Sequence, residues 1–119
     1  GDKAPKIYYI NVFRKEGKKW LWPGFGDNSR ILAWITERVT GKAKATETPI
    51  GLTPPVGEGG LNTLGLDITD ETMTELLRFK KEEWIAELPS LKEHFTKCGN
   101  RVPKEIHDQL RSLEEKLNN

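Results

Sequence analysis

The chain has 119 residues, enough for one domain with one modest core, and carries 31% charged and 35% hydrophobic residues with a net charge of +1. No apolar run approaches the roughly 20 residues of a membrane-spanning helix, so a helical membrane protein is excluded and a soluble one expected. The single cysteine, Cys98, excludes an internal disulfide and makes the cytoplasm the expected compartment.

Residues 1–48 hold ten Lys or Arg against five Asp or Glu, and the remainder nine against thirteen. The aromatic end is therefore the basic end, and its field would draw in anionic ligands, nucleotides included. The opening GDKAPK runs directly into KIYYINVF with no secretory pattern. A Gly start in place of Met is what an expression scar or a piece of a longer protein would show.

In chain order, Lys6 to Phe13 is rich in β-branched and aromatic residues and reads as a buried strand. Gly17 lies among charges, and the short apolar run Trp20 to Trp22 is closed by Pro23-Gly24, so a hairpin-like return is expected. From Ser29 to Val39 the residues Ile31, Leu32, Ile35 and Val39, with Trp34, follow helical spacing, and Gly41 stops the helix after Thr40. Residues 42–66 contain TPIGLTPPVGEGG, whose prolines and glycines argue for a long loop without a regular element. Thr69 or Asp70 caps a helix over TDETMTELLRF, and helical pattern continues from Lys80 to Leu88. Pro89 is expected to interrupt it, with a further short helix from Ser90 to Lys97 ending at Gly99. Pro103 opens a last helix with Ile106, Leu110, Leu113 and Leu117 on one stripe. The fold class is α+β: an N-terminal strand or hairpin, one amphipathic helix, a long Pro/Gly loop, and C-terminal helices.

Phe13, Trp20, Trp22 and Phe25 gather around a Pro-Gly turn that is followed by Gly26, Asp27, Asn28 and Ser29. A purine needs aromatic plates at stacking distance and a few amide groups along its edge, and stacking contributes about 1–3 kcal/mol per base. Phe13 and Phe25 could form two plates, Trp20 could close a side, and Asn28 offers both a donor and an acceptor to the edge of guanine. The plainer reading of the same residues is hydrophobic core with a helix N-cap at Asp27, Asn28 or Ser29, and such clusters are more often that. Trp22 and Trp34 belong to the core in either reading.

No G-x-x-x-x-G-K-[ST] phosphate loop occurs. His94 and His107 are expected to be solvated or capping, Cys98 inert, and Glu82, Glu83, Glu87, Glu114 and Glu115 helix-surface charges rather than catalytic pairs.

The run NVFRKEGKKWLWPGFGDNSRILAW followed by TPIG resembles the C-terminal segment of GTP-dependent phosphoenolpyruvate carboxykinases. There the corresponding run reads N-x-F-R-K, F-L-W-P-G-F-G-[ED]-N-S-R-V-L-x-W and T-P-I-G-x-x-P. The resemblance continues weakly through GLD, EEW and RVPKEI and covers essentially the whole chain. It implies a guanine sandwich at Phe13 and Phe25, a flanking aromatic at Trp20, an edge contact at Asn28, and backbone contributions from Gly26 and Asp27. The family usually has tryptophan where Val12 sits and phenylalanine where Trp20 sits, with a slightly shorter connection here, so Trp20 is the weakest of these correspondences.

The resemblance further implies an enzyme that converts oxaloacetate and GTP to phosphoenolpyruvate, CO2 and GDP in gluconeogenesis, with Mn²⁺ at the active site and Mg²⁺ accompanying the nucleotide. It implies a piece of a larger mixed α/β nucleotide-binding domain. Residues 1–41 would carry the clamp, 42–66 the Pro/Gly-rich loop and 67–119 a helical tail. Catalytic residues and metal ligands would lie outside this chain, leaving it inactive alone. The full enzyme is expected to be a monomer without membrane partners, whereas the isolated piece would expose apolar surface through which it could self-associate. A single-strand nucleic-acid or anion-binding module, built on Arg14, Lys15, Lys18 and Lys19 beside the aromatics, is the alternative from a different class, as is a structural interaction domain using the Pro-rich loop.

Overall fold

The computed structural model describes residues 3–119. They form two units: one runs to Glu47 and resumes over Leu52–Arg78, and the other comprises Thr48–Gly51 and Phe79–Asn119. About half of the chain is helical and the strands are short, in keeping with an α+β chain.

In the first unit, strands β1 (Lys15–Glu16) and β2 (Lys19–Trp20) pair antiparallel, with Lys15 opposite Trp20 and Glu16 opposite Lys19. Two residues connect them, Gly17 and Lys18. Gly17 has φ 59° and Lys18 does not have positive φ, the combination that a type II′ hairpin turn requires and glycine supplies without a Cβ clash. The chain thus reverses at Gly17, before the tryptophans, and Pro23-Gly24 instead leads into a 3-10 turn over Phe25–Asp27.

The expected strand over Lys6–Phe13 does not form. The segment lacks a ladder partner among the described residues; Ile7 and Tyr9 stand in solvent, while Tyr8 and Val12 pack on the core. Strand propensity reports a pleated, half-buried surface, and without a neighbouring strand to take its N–H and C=O groups the segment stays irregular.

Helix α1 spans Asn28–Val39. Its buried face is Trp34 flanked by Ile31 and Ile35, whereas Leu32 and Val39 of the expected stripe face solvent. Tyr8 meets the Trp34 ring edge-on, at 6.3 Å between centroids and 86° between planes, and the Trp34 indole N–H donates to the Gly59 carbonyl at 3.3 Å. The loop after α1 is not wholly irregular. Thr46–Thr48 (β3) and Gly51–Thr53 (β4) form a second small hairpin, because Pro49 falls in the turn, where its missing N–H costs no ladder bond. Helix α2 (Asp70–Leu77) begins where expected: the Thr69 hydroxyl accepts from the Thr72 N–H at 3.2 Å, with Asp70 and Glu71 in the first turn. Its buried face, Met73 and Leu76, completes a core with Leu21, Trp22, Trp34, Ala43 and Leu61. Each large side chain of that kind contributes roughly 1.5–3 kcal/mol by leaving water.

In the second unit, α3 runs unbroken from Lys81 to Cys98 through Pro89. A proline removes one hydrogen bond at a cost of about 3 kcal/mol, but turns on both sides of Pro89 keep theirs and Leu88 beside it is buried. The helix ends at Gly99, and a 3-10 turn over Gly99–Arg101 leads to α4 (Lys104–Asn118). Helices α3 and α4 are joined by a Lys92–Glu114 ion pair and by the edge of Phe95 against His107. Of the α4 stripe, Leu117 is fully buried, Leu110 and Leu113 are half-buried, and Ile106 is largely exposed.

Candidate functional site

The residues from Val12 to Asn28 enclose a cleft of about 260 Å³, lined by Val12, Phe13, Trp20, Trp22, Pro23, Gly24, Phe25 and Asn28. Pockets for whole small molecules usually run to about 300–1,000 Å³, so this one matches a single planar ring system.

Four devices shape it. Phe13 follows an Asx-type contact in which its N–H donates to the Asn11 side-chain oxygen at 2.9 Å. The next residue, Arg14, donates to the Leu76 and Arg78 carbonyls at 2.7 and 3.3 Å and approaches the Glu75 carboxylate at 4.0 Å. The segment carrying Phe13 is thereby held to the C-terminal end of α2. On the other wall, Gly24 adopts φ 142° and ψ −173°, a region open only to glycine, and this turn throws the Phe25 ring outward until it is 91% exposed. Arg30 fixes the base of the same turn. Its Nε donates to Asp27 at 3.0 Å, and its Nη1 donates to the Asn62 and Leu64 carbonyls at 2.9 and 3.0 Å.

Phe13 is 74% exposed and meets Trp20 edge-on, at 6.0 Å and 69°. Lys15 Nζ sits 3.7 Å from the Trp20 ring centroid, so one face of Trp20 is covered by a cation from its own hairpin. Phe13 and Phe25 make no ring contact with each other, and the space between them is not closed by a collapsed pair. Exposed phenylalanines are costly to keep in water, and burial of these two as core is not what the fold does with them.

The structure thus brings Phe13, Trp20, Phe25 and Asn28 to one cleft and leaves Gly26 and Asp27 off its lining. The Asp27 carboxylate is committed to Arg30 and makes no side-chain cap to α1, and Asn28 does not cap the helix either. Instead the Asn28 Oδ1 accepts from the Trp22 indole N–H at 2.9 Å. Trp22 is core, as the sequence indicates, but it also touches the site; no periodicity relates residues six apart in a turn, and only the folded turn reveals the pair. Arg14 and Arg30 were likewise invisible as supports, because their acceptors are main-chain carbonyls far along the chain.

A larger and more open depression of about 510 Å³ lies in the second unit, between His94, Phe95, Lys97, Cys98, Arg101, Val102 and Pro103. His94 and His107 both abut Phe95, and Cys98 is exposed. Among the described residues there is no group of three or more His, Cys, Asp or Glu side chains able to hold a metal ion. No helix among the described residues is long and apolar enough to cross a membrane.

The cleft combines aromatic rings on a glycine turn with an amide at its edge, a lining whose shape and chemistry suit a flat heterocycle. Residues 1–116 match the model of the phosphoenolpyruvate carboxykinase C-terminal P-loop domain, and the chain belongs to that family. Proteins named phosphoenolpyruvate carboxykinase [GTP] from Renibacterium salmoninarum and Treponema pallidum are 43% identical to it, each over 98% of this chain, and one from Neocallimastix frontalis is 40% identical over 97%. The chain spans 19% of the length of these relatives.

Proposed function

We propose that this chain supplies the guanine clamp of a GTP-dependent phosphoenolpyruvate carboxykinase, which converts oxaloacetate and GTP to phosphoenolpyruvate, CO2 and GDP in gluconeogenesis. The observation that carries the reading is the gathering of Phe13, Trp20, Phe25 and Asn28 at one cleft of base size, with both phenylalanine rings held out in solvent. Phe13 and Phe25 sandwich the base, Trp20 flanks it, and Asn28 meets its edge. Gly26 and Asp27 act through backbone and turn geometry rather than by lining the cleft. Residues 1–41 carry this clamp, 42–66 the Pro/Gly-rich connection and 67–119 the helical tail.

The phosphate loop, the divalent metal ligands and the substrate-binding groups come from the rest of the protein, since phosphoryl transfer rests on charge stabilisation that these residues do not supply. Alone, the chain is inactive and binds GTP weakly, because one stacked base barely offsets the cost of association. The enzyme works in the cytoplasm as a monomer. The nucleic-acid reading is disfavoured by Lys15 and Arg14, which are spent on Trp20 and on the end of α2 rather than on an open basic groove.

The test is Phe25→Ala in the full-length enzyme. Loss of one stacking face corresponds to about 5- to 150-fold in affinity, so KM for GTP rises by a factor in that range with little change in KM for oxaloacetate. An unchanged KM for GTP contradicts the clamp.

A further inference from the structure

We infer that Trp22 is a positioning residue for base selection: its indole N–H fixes the Asn28 carboxamide so that the amide offers donors to the cleft, which then accepts a base bearing a carbonyl oxygen and rejects one bearing an amino group. The inference rests on the clamp reading above and concerns how that clamp chooses its purine.

The argument begins with the burial of Trp22. The residue is 3% exposed, so its part-buried N–H has little access to water, and its acceptor is the Asn28 Oδ1 at 2.9 Å. An asparagine amide has two ends of opposite character. Rotated by half a turn, Asn28 would set its NH2 against the indole N–H, donor against donor, and strand a buried polar group. The oxygen is therefore held on Trp22 while the Nδ2 hydrogens, which have no partner among the described residues, serve a ligand in the cleft that Asn28 lines. A donor at this point pairs with the exocyclic carbonyl oxygen O6 of guanine or hypoxanthine. It faces the amino hydrogens of adenine as like against like, and a site built around a specific hydrogen bond rejects the analogue that cannot make it. The indole is rigid and packed in the core beside Leu21 and Trp34, so the orientation is set before any ligand arrives.

The experiment compares kcat/KM for GTP, ITP and ATP in the full-length enzyme and its variants. Trp22→Phe keeps an aromatic core side chain but removes the N–H, freeing the amide to turn; the GTP-over-ATP ratio falls about tenfold or more, while the GTP-over-ITP ratio stays as it was, since both bases carry the same C6 carbonyl. Asn28→Asp retains an acceptor for Trp22 and presents an acceptor instead of a donor, so GTP and ITP lose efficiency together and ATP does not. In the Trp22→Phe/Asn28→Ala double variant the ratio equals that of Asn28→Ala alone, because Trp22 acts only through Asn28. A folded Trp22→Phe enzyme with undiminished discrimination overturns the inference. So does a double variant whose losses multiply, which marks a general packing role. Should Trp22→Phe not fold, Asn28→Asp decides: an unchanged GTP-over-ATP ratio overturns it. Each of these outcomes differs from failure of the clamp itself, which shows as an unaltered KM for GTP in Phe25→Ala.

Discussion

The Arg14 guanidinium donates to the main-chain carbonyl of Leu76 across 2.7 Å, tying the residue that follows Phe13 to the end of α2. Helix C-termini leave carbonyls without intrahelical partners, and a planar cation that meets two of them both caps α2 and anchors the cleft wall. Arg14→Met leaves these partly buried acceptors unsatisfied. It lowers stability by about 1–3 kcal/mol in urea unfolding and, in the full-length enzyme, raises KM for GTP. Arg14→Lys recovers only part of the loss, since a single ammonium cannot serve the two carbonyls from one nitrogen and approach the Glu75 carboxylate from another.

Gly24 is a second control point. At φ 142° no L side chain is comfortable, yet a Cβ there would meet nothing within 4 Å, so the penalty of Gly24→Ala is backbone strain rather than collision. Such strain costs about 1–3 kcal/mol, and the chain escapes it by shifting the turn that carries Phe25. The measurement is GTP affinity beside melting temperature in the full-length enzyme: affinity falls even where the fold persists.

The cap at Thr69 gives a prediction confined to α2. Thr69→Ala removes the acceptor of the Thr72 N–H and costs about 0.5–2 kcal/mol, whereas Thr69→Ser keeps it. Denaturant midpoints of the two variants should separate accordingly.

Glu71 adds a pH dependence. A hydrogen bond with its own backbone, and then the Thr69 hydroxyl, hold its carboxyl below the ordinary value of 4.5. A depressed folded value stabilises the protein above the ordinary carboxylate range, and that contribution is lost as pH falls through the folded value. Glu71→Gln is therefore slightly less stable than the parent at neutral pH, and the two converge in acid. The group is fully exposed, so the difference is small and shrinks with salt.

In the second unit, Leu117 and Ile106 lie on one sequence stripe but in different surroundings. Leu117→Ala empties a fully buried position and costs about 2–5 kcal/mol. Ile106→Ala, at a position 41% exposed, costs far less, and thermal unfolding of the pair shows which end of α4 is packed.

Much of this molecule is legible in its sequence. The helices announced themselves by period and by punctuation at Thr69, Gly99 and Pro103, and the aromatic run around Pro23-Gly24 marked the cleft. At three places the neighbouring structure decides what the local signal does not. KIYYINVF reads as a strand, but strands exist in pairs, and no partner for it lies among the described residues. Pro89 reads as a break, but packing at Leu88 and the intact turns beside it carry α3 through. Pro49 reads as a loop signal, and so it is, at the tip of a hairpin that its neighbours build. The supports of the cleft escaped because Arg14 reaches residues 76 and 78 and Arg30 reaches 62 and 64, contacts that no local pattern encodes.

The most direct measurement is a crystal structure of the full-length carboxykinase with a bound guanine nucleotide. The account predicts the base seated between the rings of Phe13 and Phe25, with the Asn28 amide nitrogen on its carbonyl edge and the amide oxygen still on Trp22. A nucleotide whose base lies away from these two rings would contradict it.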